Sequence, residues 1–145
     1  MLQTAAATTD DHSPSSLESG YATLLSDALD TIGAERVADA GVEPDTIETI
    51  EAGEVSDVTL TEAAAVLGAG DDFPAADAII FETRDHLLMG MTTAVLDVDT
   101  LAAAVSLDLT GQELQQAIEG RTPLTLGQLA AIQSTIDGRV EQYNG

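Results

Sequence analysis

The sequence predicts an all-α fold in which two similar helical bundles pack as one compact unit. Three observations carry that prediction. Apolar residues recur at helical spacing from Tyr21 to Ile132, and the runs are separated by Ser or Thr caps and Gly stops. Aromatic residues make up only 3% of the chain and Trp is absent, so the core must be built from Ala, Val, Leu and Ile, which suits closely spaced helices better than aromatic-rich sheets. The two halves also repeat one pattern of turns and caps at an offset of about 67 residues. With 145 residues that are 44% hydrophobic, there is enough apolar material for one ordinary domain or two very small ones.

Residues 1–14 are small and polar, show no period, and read as a mobile acidic tail. Ser15, Ser16, Leu17 and Glu18 have capping-box spacing and open a helix that carries Tyr21, Leu24, Leu25, Ala28, Leu29 and Ile32 inward and stops at Gly33. A short helix follows from Ala34 to Ala40, with Val37 and Ala38 inward. After a turn at Gly41, Pro44 starts a helix with Ile47 and Ile50 inward, because proline's missing N–H is no loss in a first turn. Thr59 to Glu62 is a second capping box, opening a helix through Leu67. The stretch from Val55 to Leu60 could pair as a strand, although its neighbours argue for a loop. Gly68 to Asp72 marks the boundary between a first module, 15–72, and a second, 73–145.

In the second module Pro74 is expected to start a helix bearing Ile79, Ile80, Leu87 and Leu88 that continues or kinks at Gly90 and runs to Leu96. Asp99 is expected to cap a short helix from Leu101 to Val105. Thr110 to Glu113 is a third capping box, for a helix that buries Leu114, Ala117 and Ile118 and ends at Gly120. Thr125 to Gln128 opens the last helix, with Leu126, Leu129 and Ile132 inward.

Charge dominates the composition. There are 26 acidic residues against 4 basic ones, for a formal charge of −22; the basic residues are Arg36, Arg84, Arg121 and Arg139, and Lys is absent. Disorder is one reading of such a balance, but a mean hydropathy of +0.11 and the periodic apolar runs argue against it. Mimicry of a nucleic-acid backbone is a second, and it requires carboxylates ordered on one face. Adaptation to molar salt is the third, and it fits acids scattered over the whole chain, the absence of Lys and the small-residue core. There is no Cys, which excludes disulfides, thiol nucleophiles and cysteine metal sites. No apolar run is long enough to span a membrane, and the first residues lack the basic and apolar parts of a signal peptide, so a cytoplasmic location is expected.

Aligning the halves places Val42 on Leu109, Ile47 on Leu114, Ile50 on Ala117 and Gly53 on Gly120. With one residue fewer in the next loop, Thr59 and Leu60 fall on Thr125 and Leu126, and Val66 on Ile132; upstream, Leu29 falls on Leu96. In the first copy Val37, Ala38, Gly41, Val42, Thr46, Ile47, Ile50, Glu51, Gly53, Thr59, Leu60, Val66 and Leu67 form a pattern that resembles the Cro/lambda-repressor-like helix-turn-helix, clearest over 34–68 and looser over 99–134, where Asp108 replaces the turn glycine. The whole chain, especially the segment from Asp85 to Asp99, is also similar to an uncharacterised haloarchaeal family of small acidic proteins. That second resemblance implies habitat and fold only.

The helix-turn-helix resemblance implies that the third helix of each copy would enter the major groove. In the first copy its outward residues are Pro44, Asp45, Glu48 and Thr49, and two carboxylates suit a phosphate-lined groove badly. In the second they are Gln112, Gln115 and Gln116, with Thr110 at the cap and Arg121 just beyond, and glutamine can pair bidentately with adenine. These five residues are the candidate DNA-binding set. Leu87, Leu88, Met89 and Met91 form an apolar cluster around Gly90 that could be core between modules or a surface for a partner or a second copy of the chain. Asp10, Asp11 and His12 are more readily a solvated tail than a metal site. Asp85 and His86 point about 100° apart on a helix, with no nucleophile at useful spacing. No enzyme, metal or cofactor is therefore expected. The function expected first is a helix-turn-helix regulator associated with DNA through the second module; the alternative is a non-enzymatic protein-interaction adaptor, alone or as a homodimer, and an acidic DNA mimic comes third.

Overall fold

Five of the eight described helices start at a Ser, Thr or Asp side chain that accepts a free N–H group, and four end at a glycine of positive φ. The structure, a computed structural model, describes residues 13–105 and 107–144. The residues of the expected tail up to His12, including Asp10, Asp11 and His12, lie outside them. Helix α1 (Pro14–Ile32) is capped by Ser13, whose hydroxyl accepts from the Ser16 N–H. The expected cap at Ser15 is displaced because Pro14 occupies the first turn, where its missing N–H is no loss. Helices α2 (Ala34–Asp39), α3 (Pro44–Glu51) and α4 (Leu60–Gly68) follow as the sequence predicts, and Thr59 and Glu62 form the expected reciprocal capping box.

Helix α5 (Ala76–Thr93) starts later than Pro74, because Ala75 is extended and holds the proline outside the helix. It passes through Gly90 without ending there. A Cβ at Gly90 would stand 2.6 Å from Ile136, so this glycine permits a close helix crossing. The helix stops short of Leu96: Val95 takes the left-handed conformation (φ 55), and the Leu96 N–H turns back to the Met91 carbonyl at 2.8 Å. Asp97, not Asp99, caps α6 (Val98–Ala104) by accepting from the Thr100 N–H at 2.7 Å. Helix α7 (Gly111–Ile118) has the expected box between Thr110 and Glu113, and α8 (Leu126–Asn144) starts with reciprocal bonds between Thr125 and Gln128.

Helix α1 packs on α4 and α8, and α5 packs on the same two helices; α2 and α3 lie against α1, while α6 packs on α7 and α8. Each half therefore places its first helix against the last helix of the other half. The segments leading into α4 and α8 meet in an antiparallel bridge between Thr59 and Thr125. There the Leu60 N–H donates to Leu124 and the Leu126 N–H to Val58, each at 2.7 Å. The exchange joins equivalent residues, as an approximate two-fold relation between the halves requires. Val55 to Thr59 is otherwise loop, and Leu60 already belongs to α4.

The core follows the same correspondence. Leu17, Tyr21, Leu25 and Leu29 are buried along α1, as Ile79, Thr83, Leu87 and Met91 are along α5. Ile47 and Leu114 are buried in α3 and α7, Ile50 and Ala117 one turn later, and Gly53 and Gly120 end those segments at φ 79 and 83. The expected match of Leu29 with Leu96 is corrected: Leu29 corresponds to Met91. The halves fall out of register here because Gly33 alone joins α1 to α2, whereas Ala94 to Asp97 join α5 to α6.

Candidate functional site

The expected DNA-reading residues lie on and beside α7, and the structure commits several of them elsewhere. The Thr110 hydroxyl accepts from the Glu113 N–H at 3.1 Å, so it serves as the helix cap. Gln115 donates through Nε2 to Glu119 Oε1 at 3.0 Å, and Arg121 Nε stands 3.3 Å from Glu119 Oε2. One carboxylate thus holds both the glutamine and the cation that were to face a nucleic acid. Gln116 is half-buried beside a shallow groove formed with Leu109, Thr122, Pro123 and Gln128. Gln112 is exposed and has no hydrogen-bond partner among the described residues.

Two of the other three arginines are also engaged within the fold, and Arg139, half-buried on α8, forms no ion pair among the described residues. Arg36 pairs with Asp71 at 3.1 Å. Arg84, on α5, donates from Nε to the Ile118 carbonyl at 2.7 Å and from its terminal nitrogen to the Glu119 carbonyl, so it caps the end of α7 from outside. This contact was not legible in the sequence, since it joins residues far apart along the chain. Arg84→Ala should lower stability by about 1–2 kcal/mol, because it leaves two carbonyls at a helix end without their charged donor. Arg84→Lys should restore only part of that, since a single ammonium cannot reproduce the planar fork. Urea melts of the three proteins check both statements.

On α3, Asp45 and Glu48 are exposed and acidic as expected, and the Thr49 hydroxyl donates to the Asp45 carbonyl. Thr46 is buried and donates to Glu62 Oε2 at 2.7 Å, joining α3 to the cap of α4. Burial raises the Glu62 carboxyl, but donation from the Thr59 N–H and from the Thr46 and Thr59 hydroxyls outweighs it and holds the group below its ordinary value of 4.5. A depressed folded-state value means that the stabilisation is complete above 4.5 and is lost as pH falls through the folded value. The stability gap between wild type and Glu62→Gln should therefore be constant near neutrality and shrink in acid below 4.5. Denaturation midpoints measured across that range check the sign.

The expected apolar cluster divides. Leu87 and Met91 are buried in the core, while Leu88 and Met89 are exposed, with Met89 at 61%. Two residues that sequence reasoning did not select join the exposed pair: Phe81 at 69% and Val95 at 74%. The missed signal was that α5 is apolar on opposite sides, since a residue two positions from buried Ile79 cannot share its face. Asp85 is exposed and His86 half-buried, and no hydrogen bond links them. Burial, with the carboxylates of Asp137 and Glu18, pushes the Tyr21 phenol far above its usual range, so it stays protonated. Among the described residues no group of three His, Asp or Glu side chains is placed to hold a metal, and no single helix is long and apolar enough to cross a membrane.

A family model described as a family of unknown function (DUF5791) matches residues 17–139. No curated protein and no solved structure matches the chain.

Proposed function

We propose, for a chain that belongs to the DUF5791 family of unknown function, the role of a non-enzymatic protein-interaction adaptor built on a helix-turn-helix-like scaffold that no longer reads DNA. The observation that carries this reading is the arrangement around Glu119, which occupies both Gln115 and Arg121. Sequence-independent affinity for DNA needs several cations free to meet phosphates. Here, of the two cations beside the reading helix, Arg121 already faces a carboxylate and Arg84 is turned to the carbonyls at the helix end, on a chain of net charge −22. The large apolar side chains exposed on one face of α5 support the same reading, since apolar residues gathered on an exposed face are characteristic of protein contacts. The setting is the cytoplasm of a salt-adapted organism, a view that the acidic, lysine-free composition supports. Carboxylates spread over every element favour an adaptor over a DNA mimic.

One observation favours a DNA-associated regulator instead: Gln112 stands exposed in the first turn of α7, without a hydrogen-bond partner among the described residues. Fluorescence anisotropy with labelled genomic fragments, in dilute and in molar KCl, separates the two. The adaptor reading expects no saturable binding by the wild type. Binding that weakens by about 1–3 kcal/mol per lost contact in a variant with Gln112, Gln115 and Gln116 changed to Ala would transfer the conclusion to DNA.

A further inference from the structure

Helix α5 is peculiar in its outer face. Its inner face buries Ile79, Thr83, Leu87 and Met91. The opposite face, at helical spacing, carries Phe81, Leu88 and Met89, all exposed, and Val95 is exposed just past the helix end. The fold does not require this. By the correspondence of the halves, the positions of Phe81, Leu88 and Met89 are filled in α1 by Ser19, Ser26 and Asp27. The same scaffold position thus works as an ordinary polar surface in one half and is apolar in the other.

The charge around the stripe is one-sided. Asp77, Glu82 and Asp85 are exposed on the same side of α5, and none forms an ion pair among the described residues. The nearest cation on the helix, Arg84, is turned to the carbonyls of Ile118 and Glu119. An isologous dimer through this face would set these carboxylates against their own copies, on two chains of −22 each. Charge complementarity selects the opposite kind of occupant.

We propose that the outer face of α5 docks a cationic amphipathic helix of a partner protein, with Phe81, Leu88 and Met89 as apolar anchors, Asp85 as a carboxylate among them and Asp77 and Glu82 at the edges. The stripe from Phe81 to Thr92 is about 16 Å long at 1.5 Å per residue, a match for about three turns of a partner helix. The proposal rests on the adaptor reading and names the surface and chemistry through which the adaptor acts.

The test uses the full chain and a labelled synthetic peptide with Leu along one helical face and Lys on the other. A peptide of the same composition, scrambled to remove the apolar face, is the control. Anisotropy should show the amphipathic peptide binding at least about tenfold tighter than the scrambled one. Phe81→Ser combined with Met89→Ser should weaken it at least about tenfold in both dilute and molar KCl, since these side chains are already exposed and circular dichroism should show the fold unchanged. Glu82→Gln combined with Asp85→Asn should weaken it severalfold in dilute KCl only, where screening is incomplete. Ser19→Ala combined with Asp27→Ala, on the matching face of α1, should change nothing. Equal binding of both peptides, no binding, or full retention by the Phe81/Met89 variant would overturn the proposal. A wild-type dimer in sedimentation that the same variant dissociates would also overturn it, by making a second copy the occupant. Peptide binding kept by that variant removes this face and leaves the adaptor reading standing, whereas glutamine-dependent DNA binding removes that reading itself.

Discussion

In thermal melts at rising KCl the unfolding midpoint should climb steeply from dilute buffer and level off near molar salt. The cause lies in the distribution of charge. Glu43, Asp45, Glu48 and Glu51 stand exposed at the start of and along α3 and form no ion pair among the described residues, and similar exposed carboxylates occur on most other helices. Arg36, Arg84 and Arg121 are each engaged locally, by Asp71, by two carbonyls and by Glu119, so they do little to offset the 26 acidic residues of the chain. At 0.01 M salt the Debye length is about 30 Å, comparable with the width of a small domain, and every carboxylate repels most of the others. At 1 M it is about 3 Å, and only direct neighbours interact. Unfolding relieves the repulsion by separating the charges, so its removal stabilises the folded chain. A gain of about 3 kcal/mol would raise the midpoint by about 10 °C for a chain of this size. An uncharged osmolyte at equal osmolality should not reproduce the low-salt part of the rise. A midpoint that is flat or falls with KCl would remove the salt-adaptation reading.

What was legible in the sequence was local. Thr59 with Glu62, Thr110 with Glu113 and Thr125 with Gln128 each specify a helix start within four residues, and all three form. Gly53 and Gly120 specify ends in the same way, because the left-handed backbone there costs glycine little. Errors arose where several local choices compete. Ser13, Ser15 and Ser16 all offer a hydroxyl near the start of α1, and only the place of Pro14 in the first turn decides among them. Asp97 and Asp99 are both capable caps, and the reversal at Val95 decides which one meets the Thr100 N–H.

The surface features were hidden for a different reason. Periodicity assigns a face only when one side of a helix is polar, and α5 is apolar on two sides, so Leu87 and Leu88 looked alike although one is core and the other exposed. The contacts that decide the α7 region are also non-local or depend on side-chain geometry. Arg84 reaches α7 from another helix, and Glu119 sits one residue beyond α7, where it meets Gln115 from within the helix and Arg121 from the following turn. The repeat in the sequence foreshadowed paired helices, but not the exchange in which α1 packs on α8 and α4 on α5.

That exchange governs how the molecule should respond to core truncation at its two equivalent anchors. Leu114 in α7 is wholly buried and Ile47 in α3 nearly so, at 7% exposure. Leu114→Ala removes three carbons from a site closed on all sides, while Ile47→Ala opens a site nearer solvent that water and neighbours can partly refill. The expected losses are about 3–5 kcal/mol for Leu114→Ala and about 2–3 kcal/mol for Ile47→Ala, against about 0.5 kcal/mol or less for Gln112→Ala on the exposed side of α7. Neither half can keep its central helices packed without the other, because α1 and α5 each rest on both α4 and α8. Both truncations should therefore lower one shared transition, with the urea midpoint reduced and the slope unchanged. Urea melts in molar KCl in a Tyr143→Phe background, where Tyr21 in the first half is the one remaining tyrosine and there is no Trp, followed by circular dichroism and by tyrosine fluorescence, provide the check. Under a shared core, Leu114→Ala shifts the Tyr21 signal as far as the helix signal, although the two residues lie in opposite halves. A Tyr21 transition that stays at its wild-type midpoint while helix content falls in two steps would show that the halves unfold independently, and the exchange of helices would then not hold the molecule together.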